Sequence, residues 1–332
     1  MDGKIAIEEH FALPETLGTS RQYADDGSWD DLHRRLLDLD DLRLAEMDRH
    51  GIALAILSLN APGIQAIPDP DAAVATARRA NDWLADAVRA RPGRFAGFAA
   101  LPMQDPDAAA AELTRSIVQL GFKGALVNGF SEVGASGHVV YYDDPVYEAF
   151  WATVERLNVP FYLHPRDPLP AREPIYDGHP WLLGPVWAFG AETATHTLRL
   201  MSSGLFDRYP RLTIVLGHLG EGLPYSIWRV DHRLAKSSRG LPARRKLGEY
   251  LRSNFYLTTS GNFHMPTLLS AMTEIGSDRL LFSVDYPFED TVDASGWFDN
   301  AELSEGDRTK IGRENAVALF HLEPQVVRSV RL

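Results

Sequence analysis

The sequence predicts a single α/β domain over residues 1–332, folded as a (β/α)8 TIM barrel. Short apolar runs recur along the chain, and segments with helical periodicity separate them. The runs are hydrophobic almost without interruption, which is typical of strands that are buried on both faces of a parallel sheet. A single α/β barrel often exceeds about 200 residues, so the length of this chain requires no second domain.

The predicted strands and helices alternate in order along the chain. The eight strands are expected at residues 4–8, 54–59, 94–100, 124–128, 160–164, 212–218, 255–260 and 279–285. The eight helices are expected at residues 41–50, 72–91, 108–120, 146–157, 192–203, 223–236, 267–275 and 304–320. This alternation favours a closed ring of parallel strands with an outer layer of helices.

Several helix boundaries carry their own signals. An Asp-Pro pair places a hydrogen-bond acceptor at the N-cap and proline at the first helical position. This device occurs at three helix starts, Asp69-Pro70, Asp105-Pro106 and Asp144-Pro145. Gly51 and Gly121 follow predicted helices, where a C-terminal cap is expected.

Two connections, residues 11–40 and 165–190, are too long for simple linkers. Each follows a strand whose end carries a candidate metal ligand, so both are expected as loop insertions over the C-terminal face of the barrel. Their aromatic residues include Tyr23 and Phe189, which are candidates for substrate contact. A lid or substrate wall is one interpretation of these connections, and surface packing or a subunit interface is the other.

Composition excludes several classes of protein. No apolar run approaches the roughly 20 residues of a membrane span, and the first residues lack the pattern of a signal peptide. The net charge is −12 with no basic face, so no nucleic-acid partner is expected. The chain has no cysteine and can form no disulfide, which leaves the compartment undecided. The missing export signal favours the cytoplasm.

Four metal-ligand side chains stand at predicted strand ends: Glu8, His10, His164 and Asp285. The C-terminal ends of barrel strands meet at the floor of the active site, so these four are expected to converge. Glu8 and His10 are two residues apart and share one face of their strand, whereas Glu9 should point towards the helices. Two imidazoles and two carboxylates suit one divalent ion, Zn²⁺ or Mn²⁺, and the carboxylates favour Mn²⁺.

His218 and Glu221 form a second candidate group beside the metal ligands. His218 ends the sixth predicted strand, and Glu221 follows three residues later at a predicted helix start. A carboxylate next to a histidine fixes its tautomer and raises its pKa. Glu221 is also placed to stabilise the positive end of a helix, and the two roles are compatible.

The chain resembles the amidohydrolase superfamily, in its branch of non-oxidative aromatic decarboxylases. The resemblance extends over nearly the whole length and rests on motifs in order and spacing rather than on any one of them. The motifs lie at residues 3–12, 58–62, 124–130, 164–166, 181–185, 217–225 and 285–288, and include Glu8-Glu9-His10, His164-Pro165-Arg166, Gly217-His218-Leu219-Gly220-Glu221 and Asp285-Tyr286-Pro287-Phe288.

The resemblance implies one divalent metal ion per chain, no organic cofactor and a homo-oligomer, either a tetramer or a dimer. It implies reversible decarboxylation of an ortho-hydroxybenzoate, with 2,6-dihydroxybenzoate expected first and 2,3-dihydroxybenzoate or salicylate as alternatives. Asp285 is then the candidate proton donor, assisted by His218 and Glu221. Arg229 matches an arginine that helps to hold the substrate in relatives, although an ordinary helix-surface arginine explains it equally well. Asn128 is a further candidate for substrate contact.

Two departures separate this chain from hydrolases of the superfamily. The first motif is Glu-x-His rather than His-x-His, and Asn128 stands where binuclear hydrolases carry a bridging lysine. A metal-dependent hydrolase that uses a metal-activated water is the alternative enzyme. A non-catalytic protein that binds a metal or a small aromatic molecule is the alternative from another class.

Overall fold

All eight predicted strands are present in the computed structural model, which describes residues 1–24, 27–134, 138–168 and 174–322. The strands are β1 Lys4–Phe11, β2 Ile52–Leu59, β3 Phe95–Gly97, β4 Ala125–Asn128, β5 Phe161–His164, β6 Ile214–Leu216, β7 Phe255–Thr258 and β8 Leu280–Leu281. A small antiparallel hairpin, Ser131–Glu132 with Val139–Val140, lies outside this series.

The strands are parallel and follow chain order in two sheets, β1-β2-β3 and β4-β5-β6-β7-β8. Isolated parallel bridges join the sheets at both edges, Ala99 with Ala125 and Glu9 with Tyr286. The bridges complete the ring, so the predicted (β/α)8 barrel is confirmed. The strands β1 and β2 are buried at every position, as their continuous apolar runs require.

The helices form the outer layer and cover the loops at the mouth. They are α1 Pro14–Leu17, α2 Trp29–Leu37, α3 Leu42–Arg49, α4 Pro70–Ala90, α5 Pro106–Val118, α6 Glu148–Leu157, α7 Ala188–Ser202, α8 Leu205–Arg208, α9 Leu223–Lys236, α10 Leu247–Asn254, α11 Met265–Ile275, α12 Thr291–Asn300, α13 Glu305–Thr309 and α14 Asn315–Leu319. No helix in the described parts of the chain combines the length and the hydrophobicity that a membrane span requires.

Sequence periodicity missed α2, α10 and α12. Each is short, and α2 buries only Leu32 and Leu36 among charged residues, so its apolar stripe is weak. The helix expected at 304–320 is divided by a π-helical turn at Lys310–Glu314. The carbonyl of Ile311 there accepts a hydrogen bond from Phe282 N at 2.9 Å, which draws it towards the barrel.

The predicted helix caps are confirmed. Asp69 accepts a hydrogen bond from Ala72 N at 2.8 Å. The other two Asp-Pro pairs behave alike, with Asp105 accepting from the backbone of Asp107 and Ala108 and Asp144 accepting from Val146. Gly51 and Gly121 adopt φ of 68° and 75°, the left-handed conformation expected of a residue just past a helix.

The two long connections meet over the mouth of the barrel. The first contains a 3₁₀ turn at Gly18–Tyr23, and the second leads through three 3₁₀ turns into α7. The rings of Tyr23 and Phe189 lie edge to face with centroids 5.3 Å apart. Trp181 and Trp187 are instead exposed on the outer surface. Residues 25, 26 and 169–173 of these connections lie outside the described residues.

A buried histidine on α7 makes stability depend on pH. Burial, with the nearby charge of Arg199, lowers the pKa of His196 from 6.5 to about 3. Its Nε2 accepts a hydrogen bond from Tyr142 N at 3.2 Å, which also requires the neutral ring. The unfolded chain therefore binds a proton that the folded chain excludes between these two values, and stability decreases as pH falls through that window.

We expect His196→Gln to reduce this acid sensitivity, because glutamine keeps an acceptor for the Tyr142 amide but does not titrate. Between pH 7 and pH 5 the metal-free wild type should lose about 2 kcal/mol more free energy of unfolding than the variant. Urea titrations of both proteins at the two pH values measure this difference. An identical pH dependence in the two proteins would contradict the assignment.

Candidate metal centre

The predicted ligands converge at the C-terminal ends of β1 and β5 and in the segment after β8. The ligand atoms of Glu8, His10, His164 and Asp285 all lie within 4.8 Å of one another. His164 Nε2 is 3.1 Å from Glu8 Oε1, and His10 Nε2 is 3.1 Å from Asp285 Oδ1. The alternation along β1 directs Glu8 and His10 inwards together.

Each histidine is held through the nitrogen that faces away from the cluster. His10 Nδ1 is 3.3 Å from Ser58 Oγ, and His164 Nδ1 is 2.9 Å from the carbonyl oxygen of Pro165. A carbonyl can only accept, so His164 donates from Nδ1 and keeps a lone pair on Nε2. This arrangement is usual behind metal-binding histidines, because it fixes both tautomer and ring orientation.

Glu8 is held in the same way through one oxygen. Its Oε2 accepts hydrogen bonds from the hydroxyls of Tyr162, Thr258 and Ser260. A Cβ at Gly217 would lie 2.8 Å from this oxygen, so only glycine fits there. These three hydroxyls and Gly217 escaped the sequence analysis, although Tyr162 shares a strand face with His164.

The inward atoms are left for a cation. Glu8 Oε1, His10 Nε2 and Asp285 Oδ1 are buried and have no hydrogen-bond partner among the described residues. A buried polar atom without a partner is unfavourable, and a bound divalent ion would satisfy all three. The donor set therefore fits a metal ion, on the four residues that the sequence predicted.

Charge at the cluster also suits a cation. Burial alone would favour the neutral acid, but the positive charge of His218 and a hydrogen bond with His164 hold the pKa of Glu8 well below its usual range. Glu8 is therefore a carboxylate at neutral pH.

His218 and Glu221 lie together beside Asp285. His218 Nδ1 is 2.7 Å from Glu221 Oε1, and its Nε2 is 3.5 Å from Asp285 Oδ2. Burial opposes the charged imidazole, but the negative charges of Glu221 and Glu8 raise the pKa of His218 well above 6.5. The pair can hold a proton next to Asp285.

A tight turn after β6 makes this pairing possible. His218, Leu219 and Glu221 adopt φ of 52°, 56° and 54°, which is uncommon for residues other than glycine. The turn brings Glu221 back onto His218 before α9 begins. Such conformations often occur at functional sites, where the surrounding structure must hold them in place.

An aromatic cavity with an empty volume of about 530 Å³ opens above the cluster. Its lining residues are Tyr23, Ala61, His164, Pro185, Phe189, His218, Asp285, Phe288 and Glu289. Tyr23 and Phe189 were predicted as substrate contacts, and the structure places both in the wall. Phe288 and Glu289 were missed, although Phe288 belongs to the Asp285-Tyr286-Pro287-Phe288 motif. Burial and the charge of Asp285 raise the pKa of Glu289 to about 7.

Two predicted substrate contacts are not in this wall. Asn128 is buried beneath the turn at Gly63–Ala66, with its Nδ2 only 3.3 Å from where a Cβ of Gly63 would lie. Arg229 is exposed on α9 and does not line the cavity of its own chain. The face that a helix turns to the mouth depends on its packing, which a single arginine in the sequence does not reveal.

This barrel and its cluster define an amidohydrolase, and the sequence profile of the Amidohydrolase family matches residues 11–322. The chain belongs to this family, as the resemblance implied. It is 60% identical to the γ-resorcylate decarboxylase of Polaromonas sp. strain JS666, over 97% of this chain and 99% of the relative.

Two crystal structures are similar over nearly the whole chain. One is 2,6-dihydroxybenzoate decarboxylase in complex with 2,6-dihydroxybenzoate, with a TM-score of 0.95 and 58% identity over 97% of this chain and 100% of that one. The other is the dihydroxybenzoic acid decarboxylase of Polaromonas sp. JS666 with bound manganese and the inhibitor 2-nitroresorcinol. Its TM-score is 0.96, with 58% identity over 99% of this chain and 100% of that one.

Proposed function

We propose that this protein is a metal-dependent, non-oxidative decarboxylase that converts 2,6-dihydroxybenzoate reversibly to resorcinol and CO₂. The observation that carries the proposal is a complete metal-ligand cluster with the His218–Glu221 pair at its side, on the floor of an aromatic cavity. Relatives that are 57–60% identical to this chain are γ-resorcylate decarboxylases, which supports the same substrate here.

Glu8, His10, His164 and Asp285 would hold the ion, and we propose Mn²⁺ as that ion. The carboxylate-rich donor set suits Mn²⁺, and a structure 58% identical to this chain contains manganese. When bound, the ion supplies positive charge that orients the carboxylate and an ortho hydroxyl of the substrate and offsets their negative charge.

We expect one ion per chain. The four ligand atoms surround a single position, and Asn128 replaces the lysine that bridges two ions in binuclear hydrolases. Elemental analysis of the active protein, with chain concentration determined by amino-acid analysis, should give a ratio near one. Two ions per chain in fully active protein would refute the single-ion site.

Asp285 delivers the proton in the proposed reaction. Its Oδ1 faces His10, and its Oδ2 faces His218, so its second oxygen is free to exchange a proton with that imidazole. Transfer to C1 of the ring forms a C–H bond and interrupts aromaticity. The bond from C1 to the carboxylate then breaks, its electron pair returns to the ring, and CO₂ leaves.

His218 and Glu221 prepare Asp285 for the next turnover. The imidazolium of His218 can return a proton to Asp285, while Glu221 holds the ring through Nδ1 and keeps Nε2 directed at Asp285. In the reverse direction Asp285 takes the proton from C1 as CO₂ adds to the ring. High bicarbonate should therefore drive carboxylation of resorcinol.

The cavity walls position the ring and limit the access of water. Tyr23, Phe189 and Phe288 form an apolar enclosure that suits a flat aromatic acid. We also propose that the enzyme is a homo-oligomer, a dimer or a tetramer. The exposed Trp181 and Trp187 are apolar surface that a subunit contact would cover. The cytoplasmic location stays a prediction.

The decisive experiment is to incubate Mn²⁺-loaded protein with 2,6-dihydroxybenzoate and to measure CO₂ and resorcinol together. Equimolar release of both supports the proposal, and protein stripped of metal with a chelator serves as the control. Loaded, folded protein that releases neither product would refute it.

A further inference from the structure

The seam between β1 and the segment after β8 carries three of the four metal ligands. Regular β8 ends at Leu281, so no ladder extends to Asp285. Two backbone hydrogen bonds bridge the seam instead, from His10 N to Tyr286 O at 2.6 Å and from Asp285 N to Glu8 O at 3.1 Å. Any shift of this segment would therefore move Asp285 relative to Glu8 and His10.

The backbone of Asp285 itself needs support. Its φ is 79°, in a region that residues other than glycine seldom adopt. A conformation of this kind persists only where neighbouring contacts determine it. The flanking residues, Ser283 and Val284 before it and Tyr286 after it, are the places where such contacts can act.

Glu9 supplies the contact before Asp285. Its side chain is buried and points away from the cavity, as the alternation along β1 predicted. Its Oε1 accepts hydrogen bonds from Ser283 Oγ and from Val284 N, both at 3.0 Å. Ser283 Oγ in turn accepts from Glu8 N at 2.6 Å. Glu9 thus ties the two strands together directly behind their ligands.

Arg43 supplies the contact after Asp285. This buried residue of α3 donates from Nη2 to the carbonyl oxygen of His10, and its Nε is 3.2 Å from the carbonyl oxygen of Asp38. Its guanidinium lies 4.5 Å from the centroid of the Tyr286 ring. Arg43 and Glu9 line the same small cavity outside the barrel wall, where their opposite charges attract.

We propose that Glu9 and Arg43 are positioning residues that set the geometry of the metal centre from outside the barrel. Neither lines the aromatic cavity, so neither touches substrate. They act on Asp285 and His10 through the backbone on either side of these ligands. The inference rests on the metal site of the proposed function but not on the identity of the substrate.

The test measures Mn²⁺ affinity and the Mn²⁺ EPR spectrum of metal-stripped protein reloaded by titration. Glu9→Ala removes the acceptor for Ser283 and Val284 and should weaken Mn²⁺ binding about 10- to 100-fold, the range observed for residues that support metal ligands. Glu9→Gln keeps an acceptor oxygen, so its affinity should recover to within about threefold of wild type. Arg43→Met should weaken binding in the same range as Glu9→Ala and alter the EPR line shape.

Glu46→Ala is the matched control. Glu46 lines the same small cavity but pairs with Arg49 at 3.0 Å and lies 3.6 Å from His50, away from the seam. We expect wild-type Mn²⁺ affinity and EPR spectrum from this variant. Affinities of Glu9→Ala and Arg43→Met equal to that of Glu46→Ala, with unchanged spectra, would overturn the inference.

Ser283→Ala decides the matter if Glu9→Ala does not fold. It removes one hydroxyl and little volume, yet breaks the link between Glu9 and Glu8 N. Mn²⁺ binding weakened about 10-fold would support the inference, and wild-type affinity in the folded variant would overturn it. A wild-type protein that binds Mn²⁺ but releases no CO₂ would refute the proposed function, whereas the affinities test this inference separately.

Discussion

Asp285→Asn should lower kcat by about 1,000-fold or more while the protein still binds a divalent ion. Asparagine retains a carbonyl oxygen that can face His10 and the ion. Its amide cannot transfer a proton to C1 of the ring, so the step that breaks aromaticity has no acid. The effect should appear in kcat rather than in KM, because the variant changes the chemical step and leaves the cavity walls intact.

The measurement is steady-state kcat on protein whose Mn²⁺ content is determined in the same sample. Glu289→Gln is a matched control, because Glu289 lines the same cavity and lies four residues further along the chain. The control should keep kcat within about tenfold of wild type, since it changes no proposed proton donor. A metal-loaded Asp285→Asn enzyme with wild-type kcat would remove Asp285 from the role of acid.

The sequence located the metal ligands because strand ends are easy to recognise in a barrel of this kind. Apolar runs mark the strands, and the first ligand side chain after each run lies at the common C-terminal face. Glu8, His10, His164 and Asp285 could be predicted in this way. The His218–Glu221 pair needed only a short separation in sequence, which the left-handed turn after β6 converts into a contact of 2.7 Å.

The supporting residues could not be predicted, because they depend on register between distant strands. Tyr162 and Ser260 reach Glu8 only when β5, β6 and β7 are stacked beside β1 in one particular register. The same holds for Ser283, whose hydroxyl meets the amide of Glu8 across the closing seam. Alternation along one strand gives the face of a side chain but not its partner on another strand.

The boundaries of the last strand show a second limit. The apolar run at 279–285 predicted a long strand, whereas the ladder of β8 covers only Leu280–Leu281. Beyond it, side-chain hydrogen bonds from Ser283 and Glu9 replace backbone pairs. Hydrophobicity reports that a segment is buried, and it does not report whether backbone or side chains satisfy its hydrogen bonds.

Substrate selection should depend on an ortho hydroxyl, and 4-hydroxybenzoate should be inert. A carboxylate with an adjacent hydroxyl presents two oxygens to one cation and turns C1 towards Asp285. The hydroxyl of 4-hydroxybenzoate is too far from the carboxylate for this, although it still donates electrons to C1. The comparison therefore separates electronic activation of the ring from its orientation in the site.

We expect 2,6-dihydroxybenzoate to give the highest kcat/KM, because it offers a hydroxyl on either side of the carboxylate and activates C1 twice. Other 2-hydroxybenzoates, including salicylate and 2,3-dihydroxybenzoate, should follow at lower values. 4-Hydroxybenzoate should fall at least about 1,000-fold below the first, which corresponds to roughly 4 kcal/mol of transition-state stabilisation. The measurement is kcat/KM for each acid on one Mn²⁺-loaded preparation, with product identified by chromatography. Comparable values for 4-hydroxybenzoate and 2,6-dihydroxybenzoate would rule out orientation through the ortho hydroxyl, and the proposed placement of C1 against Asp285 would fail with it.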